Sequence, residues 1–219
     1  MIYRVGLAGR DVERVALERS GLKFKIVEPR NQFVASVKSV LGKPYKWGAS
    51  VLKDATEAFD CSSLVAWAGV EAGLAIPRIC IDQFVFSKKI TKEELKEGDL
   101  IFSNTGITLH TKDTHFSKVL GKVVQDAGIR TESVEFMPGT KVPGGVDHVG
   151  VYLGEGRIIH ASGETKSVVE EDLASSNWFK NIVGYGCIID DEGERFVVEI
   201  PDNRPDLRNQ ENLIKEVNK

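Results

Sequence analysis

The sequence has no apolar segment long enough to cross a membrane, no run of basic residues and only three cysteines. The first absence argues against a membrane-spanning helix. A net charge of −3 without basic clusters argues against nucleic acid as a partner. The cysteines are widely spaced and include no CxxC pair, which excludes a disulfide framework.

The first ten residues also lack the long apolar region of a signal peptide. We therefore expect a cytoplasmic protein of a reducing compartment, with secretion by another route left open. Neither a cofactor nor a metal is expected.

The length of 219 residues suffices for one core and a small appendage. Changes in composition divide the chain into an accessory element over 1–28, a main domain over 29–190 and an extension over 191–219. The main domain carries an insertion at 104–146, which mixes glycine and polar residues with isolated apolar ones. So long a segment is expected to form a hairpin around 119–124 or a lid. His110 and His115 fall there and remain unassigned.

Apolar residues at helical spacing predict a helix that begins near Cys61 and ends at Gly73. A cysteine at a helix N-terminus lies near unpaired backbone N–H groups and the positive end of the helix dipole. Both favour thiolate, so we expect the pKa of Cys61 to lie below the free value of about 8.5. The same N–H groups are able to hold an oxyanion.

Alternating residues at 147–153 and 157–161, separated by a glycine-rich turn at 154–156, predict a β-hairpin. Odd positions of the first strand are expected to face the core. A turn centred on 154–155 pairs position 148 with position 161. His148 and His160 are then expected to lie close together.

A thiol nucleophile needs a base, and the base needs an orienting partner. Cys61, His148 and His160 offer that set, with His148 as the base and His160 holding its other ring nitrogen. A zinc site formed by the same three residues is the alternative, but their spacing is that of no standard zinc motif.

Several short motifs, in order and spacing, resemble those of the NlpC/P60 family of papain-like cysteine peptidases, which cleave peptidoglycan stem peptides. The motifs are Tyr45-Lys46-Trp47-Gly48, Phe59-Asp60-Cys61-Ser62-Ser63-Leu64-Val65, Gly73, Pro77-Arg78, Gln83, Gly98-Asp99-Leu100-Ile101-Phe102, His148-Val149-Gly150-Val151-Tyr152-Leu153-Gly154 and Ile159-His160-Ala161-Ser162. The resemblance implies an α+β papain-like fold, in which helices carrying the nucleophile pack on an antiparallel sheet carrying the histidines. It implies Cys61 as nucleophile, His148 as base and His160 as third polar residue.

The resemblance also implies a substrate, a peptidoglycan stem peptide or muropeptide cut at a γ-D-glutamyl-diamino acid bond. Tyr45 matches a tyrosine beside the oxyanion site of the family. Asp60 and Ser62 match positions that bind the free amine of the stem peptide in some members, and an acid with a hydroxyl suits an ammonium group.

The sequence departs from the family pattern in three places. Ser63 replaces the usual glycine, and Cys80 stands where serine or threonine is common. The segment between Phe102 and His148 is longer than usual. Two other functions stay open: an amidase or acyltransferase that uses the same three residues on a substrate outside the cell wall, and a catalytically silent binding module. The oligomeric state is also open.

Overall fold

The computed structural model describes residues 3–106, 133–137, 140–143, 145–189 and 193–219. The described helices are α1 Arg14–Ser20, α2 Pro29–Ser39, α3 Cys61–Glu71, α4 Cys80–Phe86 and α5 Gln210–Val217. The described strands are β1 Tyr3–Ala8, β2 Phe24–Val27, β3 Lys88–Ile90, β4 Leu100–Ser103, β5 Ser133–Met137, β6 Thr140–Pro143, β7 His148–Tyr152, β8 Arg157–Ser162, β9 Ser167–Asp172, β10 Ile182–Cys187 and β11 Arg195–Ile200. Within these ranges no helix is both long and apolar enough to span a bilayer.

The main sheet has six strands in the order β3-β10-β4-β7-β8-β9, and every neighbouring pair is antiparallel. Helices α2, α3 and α4 supply much of the apolar core on one face of this sheet, together with side chains of β4, β7 and β8. A smaller apolar group, Ile101, Ile158 and Phe179, lies on the opposite face. The expected α+β class is confirmed.

Helix α3 begins at Cys61 because Asp60 caps it. The Asp60 carboxylate accepts a hydrogen bond from the backbone N–H of Ser63, and the Ser63 hydroxyl accepts one from the backbone N–H of Asp60. This reciprocal capping box satisfies two backbone donors of the first turn. Residues 61–69 are all buried, so α3 is a central helix surrounded by protein.

The two ends of the chain form a second sheet, which the division of the sequence into an N-terminal element and a C-terminal extension did not anticipate. Strand β11 lies between β1 and β2, and α1 and α5 contribute to the core beside this sheet. The sheet also contacts the C-terminal end of α3. Arg4 and Lys25 both pair with Glu71, at 2.5 and 3.2 Å.

Gly6 of β1 lies directly on Gly73. A Cβ atom at Gly6 would lie 2.1 Å from the carbonyl oxygen of Gly73. Glycine is therefore required at this contact, because neither backbone can yield without moving its whole element.

The register of the β7–β8 hairpin differs from the prediction by one residue. Val151 pairs with Ile159 and Tyr152 with Ile158, and the continued register places position 162, not 161, opposite His148. The reason is that the turn is a three-residue loop centred on Glu155 and not a two-residue turn. Gly154 and Glu155 both have positive φ, at 83° and 50°. This register places His148 and His160 on one face of the sheet, whereas pairing of 148 with 161 would have put them on opposite faces.

The odd positions of β7 face the core as predicted, since Val149 and Val151 are fully buried there.

Thr91 and Glu94 have the spacing of a capping box but form a turn that no helix follows. The Glu94 carboxylate accepts a hydrogen bond from the backbone N–H of Thr91 at 2.8 Å. The predicted hairpin at 119–124 and the two unassigned histidines lie outside the described residues. Of the insertion at 104–146, which was expected to form that hairpin or a lid, residues 104–106, 133–137, 140–143 and 145–146 are described, and β5 and β6 pair with each other there.

Candidate active site

The thiol of Cys61 lies against the start of β7. Its Sγ is 4.0 Å from the carbonyl oxygen of Asp147, the residue before His148. Burial, followed by the neighbouring Asp60 carboxylate, raises the pKa of the Cys61 thiol to about 12. The expected lowering of this pKa is wrong in direction. The helix N-terminus is present, but the desolvation of a buried thiolate outweighs its effect.

His148 and His160 are bonded ring to ring. His148 Nε2 lies 2.9 Å from His160 Nδ1, and the two ring planes are perpendicular. Burial lowers the pKa of His148 well below its ordinary value, and the neighbouring His160 adds to this. Burial also lowers the pKa of His160, against the opposing effect of Glu171. Both rings are therefore neutral at neutral pH, and a neutral imidazole is able to accept a proton.

Aromatic side chains of the turn Asn177–Phe179 cover the histidine pair. The rings of Trp178 and Phe179 lie 4.6 and 5.3 Å from that of His148, centre to centre. Gly150 makes room for this cover, because a Cβ there would lie 2.7 Å from Cζ of Phe179. The cover shields the pair from water and leaves His148 only 3% exposed.

The thiol lies against the backbone just before His148, at the end of β7 that also carries the histidine pair. Across the described part of the chain, no hydrogen bond joins Cys61 Sγ to His148, and the sulfur faces the strand backbone at Asp147 instead. Hydrogen bonds between catalytic groups are often long in the absence of substrate and shorten when it binds. The facing nitrogens of the two histidines bond to each other, and the described residues hold no cluster of three or more acidic, histidine or cysteine side chains placed to bind a metal.

Asp60 and Ser62, the expected amine-binding residues, are both bound by Arg78. Arg78 Nη2 lies 2.5 Å from Asp60 Oδ2, and Nη1 donates to Ser62 Oγ at 2.9 Å. Nη2 also donates to the carbonyl oxygen of Ala49 at 2.5 Å. The guanidinium thus ties the first turn of α3 to the loop before it, and a substrate ammonium would compete with it for the same carboxylate.

Tyr45 lies beside the nucleophile. Its backbone bridges to Phe59, two residues before Cys61. Burial raises the pKa of the Tyr45 hydroxyl, and the charges of Cys61 and Asp60 raise it further. The hydroxyl therefore stays protonated and is available as a hydrogen-bond donor on the side of the thiol.

Comparison with known families decides the assignment. The profile of the NlpC/P60 family matches residues 42–122 and 102–186, which together cover well over half of the chain. The chain belongs to the NlpC/P60 family. The matched region contains every residue of the site described above.

Relatives within the NlpC/P60 family include the bifunctional muramidase/DL-endopeptidase CwlT of Bacillus subtilis, which is 29% identical over 147 residues. That match covers 67% of this chain and 33% of CwlT. The peptidoglycan endopeptidase RipB of Mycobacterium tuberculosis is 30% identical over 139 residues, 59% of this chain and 42% of RipB. The matches thus span less than half the length of these relatives.

Solved structures of the NlpC/P60 family share the fold. An NLP/P60-family protein of Staphylococcus aureus, described as similar to lipoprotein, aligns with a TM-score of 0.50 at 26% identity, over 74% of this chain and 42% of that one. An NlpC/P60 family protein of Bacillus cereus aligns with a TM-score of 0.52 at 23% identity, over 74% and 40% of the two chains. The papain-like NlpC/P60 fold expected from the motifs is confirmed.

Sequence reasoning missed three residues of this site. Arg78 belongs to a recognised motif, but nothing in the sequence indicates that it binds Asp60. Trp178 stands beside Phe179 in a short turn, and nothing local indicates that the turn covers the histidines. Glu171 carries no signal of its own in the sequence, and its position beside His160 depends on the register of β8 and β9.

Proposed function

We propose that this chain is a cysteine endopeptidase that hydrolyses peptidoglycan stem peptides. The observation that carries the proposal is the buried, hydrogen-bonded pair His148–His160 at the end of β7 where the Cys61 thiol lies. Peptidoglycan endopeptidases among the relatives support the substrate class. Cys61 is the proposed nucleophile, His148 the base and His160 the residue that orients it.

The first step is attack of Cys61 Sγ on the carbonyl carbon of the scissile peptide bond. The raised pKa of Cys61 means that the resting pair is a neutral thiol beside a neutral imidazole. His148 would therefore take the thiol proton as the C–S bond forms, acting as a general base. Backbone N–H groups at the start of α3 and the hydroxyl of Tyr45 are the candidate donors to the oxyanion.

Collapse of the tetrahedral intermediate breaks the C–N bond. The imidazolium of His148 returns its proton to the leaving amine, and a thioester remains on Cys61. Water then attacks the thioester with His148 again as base, which releases the carboxylic acid and restores the thiol. His148 and His160 are only 3% and 0% exposed. Their burial favours transfer of the proton between His148 and the reacting groups over its exchange with solvent.

The proposed bond joins γ-D-glutamate to a diamino acid. In the proposed binding mode, the free amine of the stem peptide lies against Asp60 and Ser62. It would share the Asp60 carboxylate with Arg78, which already holds one oxygen at 2.5 Å. An Asp60→Asn variant is expected to raise KM for stem peptides with a free amine more than for acylated ones.

The deciding experiment is incubation with a panel of defined muropeptides, read by mass spectrometry, beside a folded Cys61→Ala variant. We expect cuts after γ-D-glutamate from the wild type and none from the variant. Cleavage of a non-wall amide instead would indicate the amidase or acyltransferase function. Cuts that persist in Cys61→Ala would refute the proposed nucleophile.

One observation favours a second candidate, a binding module without catalysis. The Cys61 thiol has a raised pKa and, among the described residues, no hydrogen bond to His148. A binding module would cut nothing in the panel and would bind the same muropeptides with equal affinity before and after Cys61→Ala.

A further inference from the structure

A carboxylate lies at the far end of the histidine pair. Glu171 Oε2 is 3.4 Å from His160 Nε2, the ring nitrogen that does not contact His148. Glu171 is on β9, where it pairs with Ile158, and His160 pairs with Val169. Since alternate residues of paired strands share a face, Glu171 lies on the same face as His160, one step diagonally across β8 and β9.

That nitrogen is enclosed within the protein. His160 is fully buried, and its Nε2 makes no hydrogen bond of good geometry within the described residues. A buried N–H without an acceptor costs about 1–3 kcal/mol. Glu171 is the polar group that the structure brings to this nitrogen, at an ion-pair distance.

The carboxylate is itself held in place. The Ser176 hydroxyl donates to the same oxygen, Glu171 Oε2, at 2.5 Å. The Ser176 hydroxyl also accepts a hydrogen bond from the backbone N–H of Trp178 at 3.3 Å. Trp178 is the residue whose indole ring covers His148. Glu171 is thus anchored by the segment that shields the pair from water.

We propose that Glu171 is a positioning residue that sets the direction of the hydrogen bonds through the histidine pair. Its carboxylate accepts a hydrogen bond from the Nε2–H of His160, so that His160 Nδ1 carries the lone pair. His160 Nδ1 then accepts the Nε2–H of His148, which leaves the lone pair of His148 on Nδ1. This inference rests on the proposed function in one respect, because it takes the lone pair on Nδ1 of His148 as the base for Cys61.

The charge of Glu171 has a second effect on the pair. The titratable groups that face His160 are His148 from β7 and Glu171 from β9, while Trp178 and Phe179 present uncharged rings from the turn. Glu171 raises the pKa of His160 against burial. When His148 becomes an imidazolium during the reaction, the same negative charge at the end of the chain stabilises it.

The test that needs no substrate is the tautomer of each histidine, read from long-range ¹H–¹⁵N spectra of the protein labelled with ¹⁵N-histidine. His110→Gln and His115→Gln variants assign the other two of the four histidines. We expect a proton on Nε2 of both His148 and His160 at pH 7.5. A bare Nε2 on His160 would overturn the proposal.

The test with substrate compares Glu171→Gln with Glu170→Gln, a matched control. Glu170 is next to Glu171 on the same strand, faces the other way and pairs with Arg157 at 3.0 Å. We expect Glu171→Gln to lower kcat about tenfold with KM unchanged, by analogy with the lower end of the loss seen when the hydrogen-bond partner of a metal-ligating histidine is removed. The acidic limb of its pH profile should move to lower pH, which a purely structural role would not cause.

Equal kcat and equal pH profiles for the two variants, with melting temperatures matched, would refute the positioning role. If the wild type cleaves no stem peptide, the proposed function fails, but the tautomer spectra still decide the order of hydrogen bonds. The two failures are therefore distinguishable.

Discussion

Replacement of Arg78 by methionine is expected to destabilise the start of the nucleophile helix. The guanidinium binds Asp60 Oδ2 at 2.5 Å, Ser62 Oγ at 2.9 Å and the carbonyl oxygen of Ala49 at 2.5 Å. Methionine keeps an apolar stem but removes the charge and all three hydrogen bonds. The Asp60 carboxylate, 8% exposed at its side chain, would keep its capping bond to Ser63 and a long hydrogen bond of 3.4 Å from the Ser62 hydroxyl, both to Oδ1, and Oδ2 would lose its partner Arg78.

The magnitude follows from the burial of the two partners. Loss of one partner from a fully buried ion pair costs about 3–5 kcal/mol. Here the Arg78 side chain is 34% exposed, so water screens part of the interaction and the expected loss is about 2 kcal/mol. In a protein of this size that loss lowers the melting temperature by about 4–8 °C.

The assay is urea unfolding and calorimetry of Arg78→Met, Asp60→Asn and the double variant. Asparagine is also a good N-cap, so the cycle isolates the pair rather than the cap. Lys46→Met is the control, because Lys46 contacts Asp54 at the same 2.5 Å but on the surface, and little change is expected. A coupling energy near zero, together with an unchanged melting temperature, would refute the reasoning.

Three further outcomes are expected. Gly6→Ala should lower the melting temperature by several degrees, because the new Cβ would lie 2.1 Å from the carbonyl oxygen of Gly73. Gly163→Ala is the control and should leave it unchanged, because its Cβ would lie 3.5 Å from the nearest atom. Equal melting temperatures for the two variants would contradict this. The alkylation rate of Cys61 by iodoacetamide should rise about tenfold per pH unit from 7 to 9, since its pKa is raised to about 12; a plateau near pH 8 would indicate an activated thiolate. The free energy of unfolding should fall as pH drops below about 6.5, because the unfolded chain binds protons that the buried histidines, with lowered pKa values, do not. In that pH series, urea unfolding should show a weaker fall for His160→Gln, and an equal fall would count against the assignment.

Local signals in the sequence predicted much of the site. Helical periodicity that ends at Gly73 identified α3, and strict alternation identified β7 and β8. The sequence of the extension also predicts a strand at 195–200 and a short helix at 209–217, and the structure has them at Arg195–Ile200 and Gln210–Val217. These elements are readable because their caps, turns and periods involve residues close together in the chain.

Pairing between distant segments was not readable. Strand β11 inserts between β1 and β2, although β1 and β11 are separated by most of the chain. Their alternation indicates strands but not partners, since many alternating segments are compatible with each other. The contact of this sheet with Glu71 at the end of α3 follows from that pairing and not from any motif.

The sequence by itself determined which residues carry the candidate chemistry, because Cys61, His148 and His160 stand in recognisable motifs on predictable elements. The tertiary structure decided their state. Burial raises the pKa of Cys61 and lowers that of His148, the opposite of what a helix N-terminus alone suggests for the thiol. It also decided the partners, since Arg78 and Glu171 reach the site only through packing and strand register. Desolvation and long-range contact are properties of the folded chain, and no local pattern encodes them.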